Sequence, residues 1–303
     1  MGVFKAYDIR GTVPDQINEE LFKKIGLAAV KVLDAKQVVV GRDMRESSTP
    51  LGKALIKGLT QGGADVIDIG MSSTPMLYFA TAFCKADGGI QITASHNPAE
   101  YNGCKFCRED AIPVSYDTGL GEIEKLVESG TLTPGDEEGS VETRDVGSDY
   151  RAHLLKFAGQ IKPQTVVVDA GNGVMGAFVP PLFAKLPCEL IRLYFAPDGT
   201  FPNHEANPLK PENVQDLIAR VKETGADLGV ALDGDGDRSM YVDERGDPIP
   251  CDALTALIAA EMLEREPGAT IIFDLRSSWI VAEEIERLGG TPIKSRVGHS
   301  YIK

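Results

Sequence analysis

Two stretches of the chain hold side chains of the kinds used in group transfer. In Thr93-Ala94-Ser95-His96-Asn97-Pro98 a hydroxyl follows the glycine-bounded apolar run Gly88-Gly89-Ile90-Gln91-Ile92, and the polar residues after it end in a proline. This pattern places Ser95 on a sharp, exposed loop at the mouth of a buried strand. A serine so presented can be a nucleophile or a phosphate carrier; taken alone, it is more simply a turn or N-cap residue. In Asp233-Gly234-Asp235-Gly236-Asp237, carboxylates alternate with glycines just past an apolar run, so the backbone can bend until the acids converge.

Converging carboxylates need a cation, because two like charges about 4 Å apart cost about 4 kcal/mol at an effective dielectric of about 20. All-oxygen ligands favour magnesium, calcium or manganese over zinc. Three protein oxygens leave room on an octahedral ion for a phosphate oxygen and water, which suits Mg2+ in phosphoryl transfer. A solvated acidic turn is the plain alternative. An EF-hand loop would need glycine where Arg238 stands, although Glu244 falls at its last acidic position. A haloacid-dehalogenase-like phosphatase signature fits Asp233-x-Asp235-Gly236 but expects threonine or valine in place of Asp237. That phosphatase is the second enzyme reading.

Basic residues near these loops gain interest from their surroundings. Arg238 abuts the acids and can neutralise a transferring phosphoryl group, or simply balance the carboxylates. Lys105, after Tyr101-Asn102-Gly103, is placed to act as acid, base or phosphate clamp, and His96 to bond phosphate or orient its loop. Gly171-Asn172-Gly173 lacks the lysine of a Walker motif and reads as a tight turn. His153, His204 and His299 show no pattern of a Ser-His-Asp triad.

The elements that must hold these loops follow a βα rhythm. A helix with Leu21, Ile25, Ala28 and Val32 on one face leads to the strand Val38-Val39-Val40. A helix around Leu51, Leu55 and Leu59 leads to Val66-Ile67-Asp68-Ile69, and a third helix opens with Thr74 as cap and Pro75 at its first position. A polar stretch from Glu128 to Gly139 reads as a surface excursion. A second run has a helix from Asp149 to Phe157, strands at Val166-Val167-Val168 and Leu190-Ile191-Arg192-Leu193, a helix from Val214 to Val221, and a strand ending at Leu232. It closes on the turn Glu244-Arg245-Gly246-Asp247-Pro248. A third has a helix from Ala253 to Leu263, the strand Ile271-Ile272-Phe273, a helix from Ile280 to Leu288 and a strand near Pro292-Ile293. The fold class is therefore α/β, with repeated doubly wound units over 1–147, 148–247 and 248–303, two complete and the third partial. Ligands of such sheets gather at the carboxyl ends of strands, where Ser95, Gly171-Asn172-Gly173, the aspartates and Arg276 all fall, so one shared cleft is expected.

Composition narrows the partners. The net charge of -14 repels a nucleic-acid backbone, so an anionic small substrate must be held by locally placed arginines and lysines. No apolar run approaches the ~20 residues of a membrane span, and the first residues do not resemble a signal peptide, so a cytoplasmic protein without membrane partners is expected. Cys104 and Cys107 form a C-x-x-C without a second pair, and with Cys84, Cys188 and Cys251 they read as reduced, mostly buried thiols.

In order and wording, Thr93-Ala94-Ser95-His96-Asn97-Pro98, Tyr101-Asn102-Gly103-x-Lys105 and Asp233-Gly-Asp-Gly-Asp237-Arg238 resemble the α-D-phosphohexomutases. Tyr7-Asp8-Ile9-Arg10-Gly11 and Gly298-His299-Ser300-x-Ile302-Lys303 are similar to the phosphomannomutase/phosphoglucomutase branch. The resemblance implies that Ser95 carries the phosphoryl group and, with Asp233, Asp235 and Asp237, ligates Mg2+. It implies that Arg10 and Lys105 assist proton and phosphate transfer with His96 beside them, that Arg238 stabilises the phosphoryl group, and that Arg276 and His299 line the substrate side. Arg276 stands where the family has lysine. The implied reaction interconverts mannose or glucose 1- and 6-phosphates through a hexose bisphosphate. The family continues with a sugar-reading loop and a fourth domain, so a non-catalytic phosphosugar- or metal-binding fragment is the reading of another class.

Overall fold

The computed structural model describes residues 2–302, the side chain of His299 excepted. Its first unit runs β1 (Ile9–Thr12), α1 (Glu19–Leu33), β2 (Gln37–Arg42), α2 (Ser48–Gln61), β3 (Asp65–Met71), α3 (Thr74–Cys84), β4 (Gly88–Ile92), β5 (Tyr101–Arg108), α4 (Leu120–Ser129) and β6 (Val141–Thr143). The sheet order is β1-β5-β4-β2-β3-β6. Strands β4, β2, β3 and β6 are parallel, while β5 returns antiparallel to β4 and β1 antiparallel to β5. Alternation along a strand sends successive side chains to opposite faces. Val38 and Val40 accordingly meet Ile25, Leu51, Leu55 and Leu59 of α1 and α2, whereas Val39 meets Met76, Leu77 and Ala80 of α3. Helices on both faces explain why these strands read as unbroken apolar runs.

Helix α5 (Gly147–Leu155) follows, and its Tyr150 joins the α3 side of the first core. The second unit runs β7 (Gln164–Asp169), α6 (Met175–Phe183), β8 (Cys188–Leu193), α7 (Gln215–Thr224), β9 (Leu228–Leu232), β10 (Ser239–Asp243) and β11 (Pro248–Ile249), with sheet order β11-β10-β9-β7-β8. Leu217 and Val221 of α7 cover one face and Val179 of α6 the other. In the last unit α8 (Cys251–Arg265) and α9 (Trp279–Arg287) pack on the parallel pair β12 (Thr270–Asp274) and β13 (Thr291–Ser295), before the short α10 (His299–Ile302). Among the described residues, no helix is long and apolar enough to cross a membrane.

The rhythm read from the sequence stands, with four corrections. The cap of α3 is Ser73, whose hydroxyl accepts from the Met76 amide at 3.2 Å. Thr74 is instead the first helical residue, and its hydroxyl is used elsewhere. Helix α6 was not expected, because Pro180 and Pro181 lie inside it and proline speaks against a helix interior. Helices α4 and α10 and strands β1, β5, β6, β10 and β11 were also missed; β6 and β10 are paired in their sheets with β3 and β9 respectively. Of the cysteines, none of which forms a disulfide, only Cys104 and Cys107 are buried and Cys251 is exposed. Cys104 joins the core under α1 and α2, while the Cys107 thiol lies 3.6 Å from the Thr81 hydroxyl of α3, so the C-x-x-C has its sulfurs on opposite faces of β5.

The α1–α2 crossing is tight enough to exclude a methyl group. A Cβ on Gly58 would lie 2.1 Å from the Lys23 carbonyl oxygen, and one on Gly26 2.5 Å from that of Leu55. Gly58→Ala gains about 1 kcal/mol of helix propensity but forces apart two packed backbones, and overpacking costs about 1–3 kcal/mol. A net loss of up to about 2 kcal/mol is expected, read as a lower urea midpoint at unchanged slope; a higher midpoint would show that the crossing yields freely.

Candidate active site

Strand β4 ends at Ile92, and the chain turns at Ser95 with φ of 53°, a left-handed conformation uncommon for a residue with a side chain. The turn is held by the Ser95 amide, which donates to Thr93 Oγ1 at 2.8 Å. Ser95 is fully buried, which corrects the expectation of an exposed loop. The cover comes from the second unit: a Cβ on Gly234 would sit 2.6 Å from the Ser95 carbonyl oxygen, so only glycine lets the two loops approach this closely. The Ser95 hydroxyl donates to Asp233 Oδ2 at 2.8 Å and lies 3.3 Å from His96 Nδ1.

The acid loop hangs between β9 and β10, antiparallel neighbours whose pairing begins at Leu232 and Ser239. Asp233, Asp235 and Asp237 each bring a carboxylate oxygen within 4.8 Å of the others. Lys105 reaches them from β5, where it pairs with Gln91 of β4. Its Nζ lies 2.6 Å from Asp235 Oδ2 and 2.6 Å from Asp237 Oδ2. Thr74, at the start of α3, donates its hydroxyl to Asp235 Oδ2 at 2.5 Å, while its amide donates to the Asp235 carbonyl at 2.9 Å. Asp235 Oδ1 and Asp237 Oδ1 are buried and accept no hydrogen bond, though Arg238 Nε stands 3.8 Å from the latter. Buried carboxylate oxygens left over in a three-acid cluster are what a hard divalent cation requires, so the residues present fit a metal of that class.

Electrostatics sort the cluster. Burial, then the charges of Asp235 and Asp237, push the Asp233 carboxyl well above its usual range. Burial acts the same way on Asp235, but the Lys105 charge and the hydrogen bonds from Lys105 and Thr74 outweigh it and hold that carboxyl below the usual range. Lys105 loses solvation by burial, yet the charges of Asp235, Asp237 and Asp233 raise it above the ordinary lysine value. Its ammonium is therefore held in the charged form beside the acids, which suits a clamp on phosphate oxygens. His96 is pushed down to about 4 by burial and by the charges of Arg238 and Arg10, so its ring is neutral.

The remaining residues divide. Arg10, on β1, donates to Asn97 Oδ1 at 2.7 Å and to Asp8 Oδ2 at 2.5 Å, so it borders the Ser95 loop. Arg238 gives its backbone amide to Asp233 Oδ1 at 3.0 Å and leaves its side chain partly open. Asn172 has a φ of 57° in the tight turn expected there, and a Cβ on Gly173 would press the Gly234 carbonyl at 2.9 Å, so that turn supports the acid loop from below. Arg276 is not joined to the cluster by any hydrogen bond among the described residues: it pairs with Asp274 at 2.7 Å, with 72% of its side chain exposed. The His299 side chain, and Lys303, lie outside the described residues.

Family models described as "Phosphoglucomutase/phosphomannomutase, alpha/beta/alpha domain" I, II and III match residues 1–133, 148–246 and 250–303. The chain belongs to this family. It is 44% identical over 302 residues to "Phosphohexose mutases" of Xanthomonas campestris pv. campestris, covering 99% of this chain and 67% of that protein. It is 44% identical over 309 residues to the "Phosphomannomutase" of Salmonella typhimurium, covering 99% and 68%. A crystal structure of a phosphoglucomutase/phosphomannomutase family protein from Burkholderia thailandensis superimposes with a TM-score of 0.93 at 38% identity, covering 98% of this chain and 67% of that one. The function is accordingly that of a phosphohexomutase, an intramolecular phosphotransferase acting on small phosphosugars, in a family that is generally metal-dependent.

Two residues of this phosphohexomutase went unnoticed or misread in the sequence. Thr74, read as a cap, is a hydrogen-bond donor to Asp235. Arg45, with 2% exposure, sits beneath the Ser95 loop, and the signal for it was the polar run Gly41-Arg42-Asp43-Met44-Arg45 at the carboxyl end of a buried strand. One expectation follows from the His96 environment. Its folded value lies below the ordinary 6.5, so the unfolded chain binds more protons between those values and stability falls as pH drops through them. In ring-nitrogen NMR, His96 should stay neutral at about pH 5.5, where an exposed histidine is mostly protonated; a His96 titrating near its ordinary value would overturn this.

Proposed function

We propose that this phosphohexomutase carries the transferred phosphoryl group on Ser95 and interconverts the 1- and 6-phosphates of mannose or glucose, or both, through a hexose bisphosphate. The observation that carries the proposal is the 2.8 Å hydrogen bond from the Ser95 hydroxyl to Asp233, which joins the sole serine of one strand-end loop to the acid cluster of another unit. Asp233, Asp235 and Asp237 would hold Mg2+, with a phosphate oxygen on Ser95 as a further ligand. When bound, the ion supplies Lewis-acid stabilisation of charge on the phosphoryl oxygens.

Each step exchanges one oxygen for another on phosphorus. The bond from phosphorus to Ser95 Oγ breaks, a bond to a hexose hydroxyl oxygen forms, and the proton of that hydroxyl is released as Ser95 Oγ regains one. The bisphosphate then presents its other phosphate, and the reverse exchange restores the phosphoserine. Lys105 supplies fixed positive charge to the cluster, Arg10 and Arg238 supply it where the phosphoryl group moves, and neutral His96 remains a hydrogen-bond partner of Oγ. Arg276 and His299 belong to the substrate side in this proposal. The units 1–147 and 148–247 would give the carrier and the metal loop, and 248–303 would face the sugar. The name of one relative, a phosphomannomutase, and that of the family model, phosphoglucomutase/phosphomannomutase, favour mannose or glucose phosphates over other sugars.

Incubation with glucose 1,6-bisphosphate should add one phosphoryl group to the chain, and fragmentation mass spectrometry should place it on Ser95. Phosphate at another residue, or a Ser95→Ala variant labelled as fully as the parent chain, would refute the carrier assignment. Asp235→Asn should weaken Mg2+ binding by tenfold or more, about 1.4 kcal/mol, because it removes a third of the acid charge from a buried site. Titration calorimetry showing unchanged affinity would remove Asp235 from the ligand set.

A further inference from the structure

We propose that Arg45 is a positioning residue for phosphoryl transfer: its guanidinium holds the Ser95 turn in its left-handed shape and ties it to the second unit. The proposal rests on Ser95 being the phosphate carrier. Four backbone carbonyls of the loop, from Ser95, Asn97, Pro98 and Tyr101, have Arg45 as a side-chain donor. Nη2 donates to Ser95 O at 3.1 Å and Asn97 O at 2.5 Å; Nη1 donates to Pro98 O at 2.6 Å and Tyr101 O at 2.9 Å. Nε donates to Asp43 Oδ2 at 3.2 Å, so all five N–H groups of the fork are engaged.

The orientation of the guanidinium is itself fixed. Asp43 Oδ1 accepts from the Arg45 amide at 3.0 Å and from the Ser48 hydroxyl at 2.5 Å. Asn102, from β5, donates its amide nitrogen to the Ser48 hydroxyl at 3.0 Å. From the second unit, the Phe201 ring stands 5.0 Å from Arg45 Cζ, and a Cβ on Gly199 would fall 2.6 Å from Arg45 Cα. Burial lowers the guanidinium's affinity for its proton and the charges of Asp43 and Asp235 oppose that, so it is a buried cation spent on backbone carbonyls and one carboxylate.

The cost of that arrangement points to its use. A buried guanidinium is expensive to desolvate, and a surface turn could satisfy its carbonyls with water. What water does not give is a single rigid geometry at Ser95, whose φ of 53° is unfavourable for a residue with a Cβ. A planar five-donor fork fixes the direction of the Ser95 carbonyl and with it that of Oγ toward Asp233. Lysine has only three donors around one nitrogen and cannot span the same four carbonyls and carboxylate. Arg45 touches no reacting atom in this arrangement and acts through the turn.

Arg45→Gln and Arg45→Lys separate positioning from folding. The readouts are hydrogen exchange of the peptide covering 94–101 against the α2 peptide, and the rate of phosphate transfer from glucose 1,6-bisphosphate to Ser95. Expected for Arg45→Gln is faster exchange confined to the loop and a transfer rate lower by about a hundredfold, the size of effect a misplacement of about 1 Å produces. The bisphosphate concentration for half-maximal rate should hardly move. Added guanidinium, but not the same concentration of methylammonium, should restore part of both. Should Arg45→Gln lose exchange protection throughout, Arg45→Lys decides, with the same split at about tenfold. A parental transfer rate in a variant with a loosened loop, or equal rescue by both cations, overturns the proposal. A parent chain that takes no phosphate at Ser95 refutes the carrier reading instead, and loop exchange unchanged in both variants then overturns the role of Arg45 separately.

Discussion

Three carboxylates gathered in a largely buried space are the constraint on which the rest of the structure depends. Lys105 pairs with Asp235 and Asp237 and Arg238 stands 3.8 Å from Asp237, so three acids face two cations, and burial followed by the charges of Asp235 and Asp237 holds the Asp233 carboxyl well above its usual range. The asymmetry among the three acids is equally physical. Asp235 has an ammonium and a hydroxyl against one oxygen, whereas Asp233 has the Ser95 hydroxyl and a backbone amide, neither carrying charge. A hard divalent cation would remove the imbalance, and the leftover oxygens of Asp235 and Asp237 would offer it donors.

That cluster cannot be built by one unit alone. The acids follow β9 of the second sheet, while their partners Lys105, Thr74 and Ser95 come from β5, the start of α3 and the end of β4 in the first. Each sheet turns an antiparallel strand back past its parallel set at the relevant edge. Through β5 and β10 the return strands bring side chains to the same end as the loops they flank. Close contact between the units is permitted by Gly234 and Gly199, where a single added carbon would meet backbone.

Positive charge in the site is of two kinds. Lys105 and Arg45 are buried and fully engaged, so they set geometry and local potential. Arg238, with 35% of its side chain exposed, and Arg10, lightly exposed, border the space where an anionic substrate would arrive. On a chain with net charge of -14, such local placement is how an anion is admitted at all.

The sequence by itself determined much of the succession of strands and helices, because apolar period and glycine punctuation are local properties of the chain. It also determined the chemical kinds at the strand ends: the serine, the three acids and most of their basic neighbours. Several elements escaped it, among them the ten-residue helix α4 and the eight-residue strand β5. Helix α6 carries two prolines, and β10 is a five-residue strand whose Val242 enters the core of the second unit beside β9. Only the tertiary structure decided that Ser95 is buried, that Thr74 serves Asp235 instead of capping a helix, that Lys105 is held as a cation, that Arg45 lies under the serine loop and that Arg276 stands apart from the acid cluster. The reason is common to all five. Burial, protonation and partnership depend on desolvation and on charges brought in from residues as far as 161 positions away in the chain, and no local window contains them.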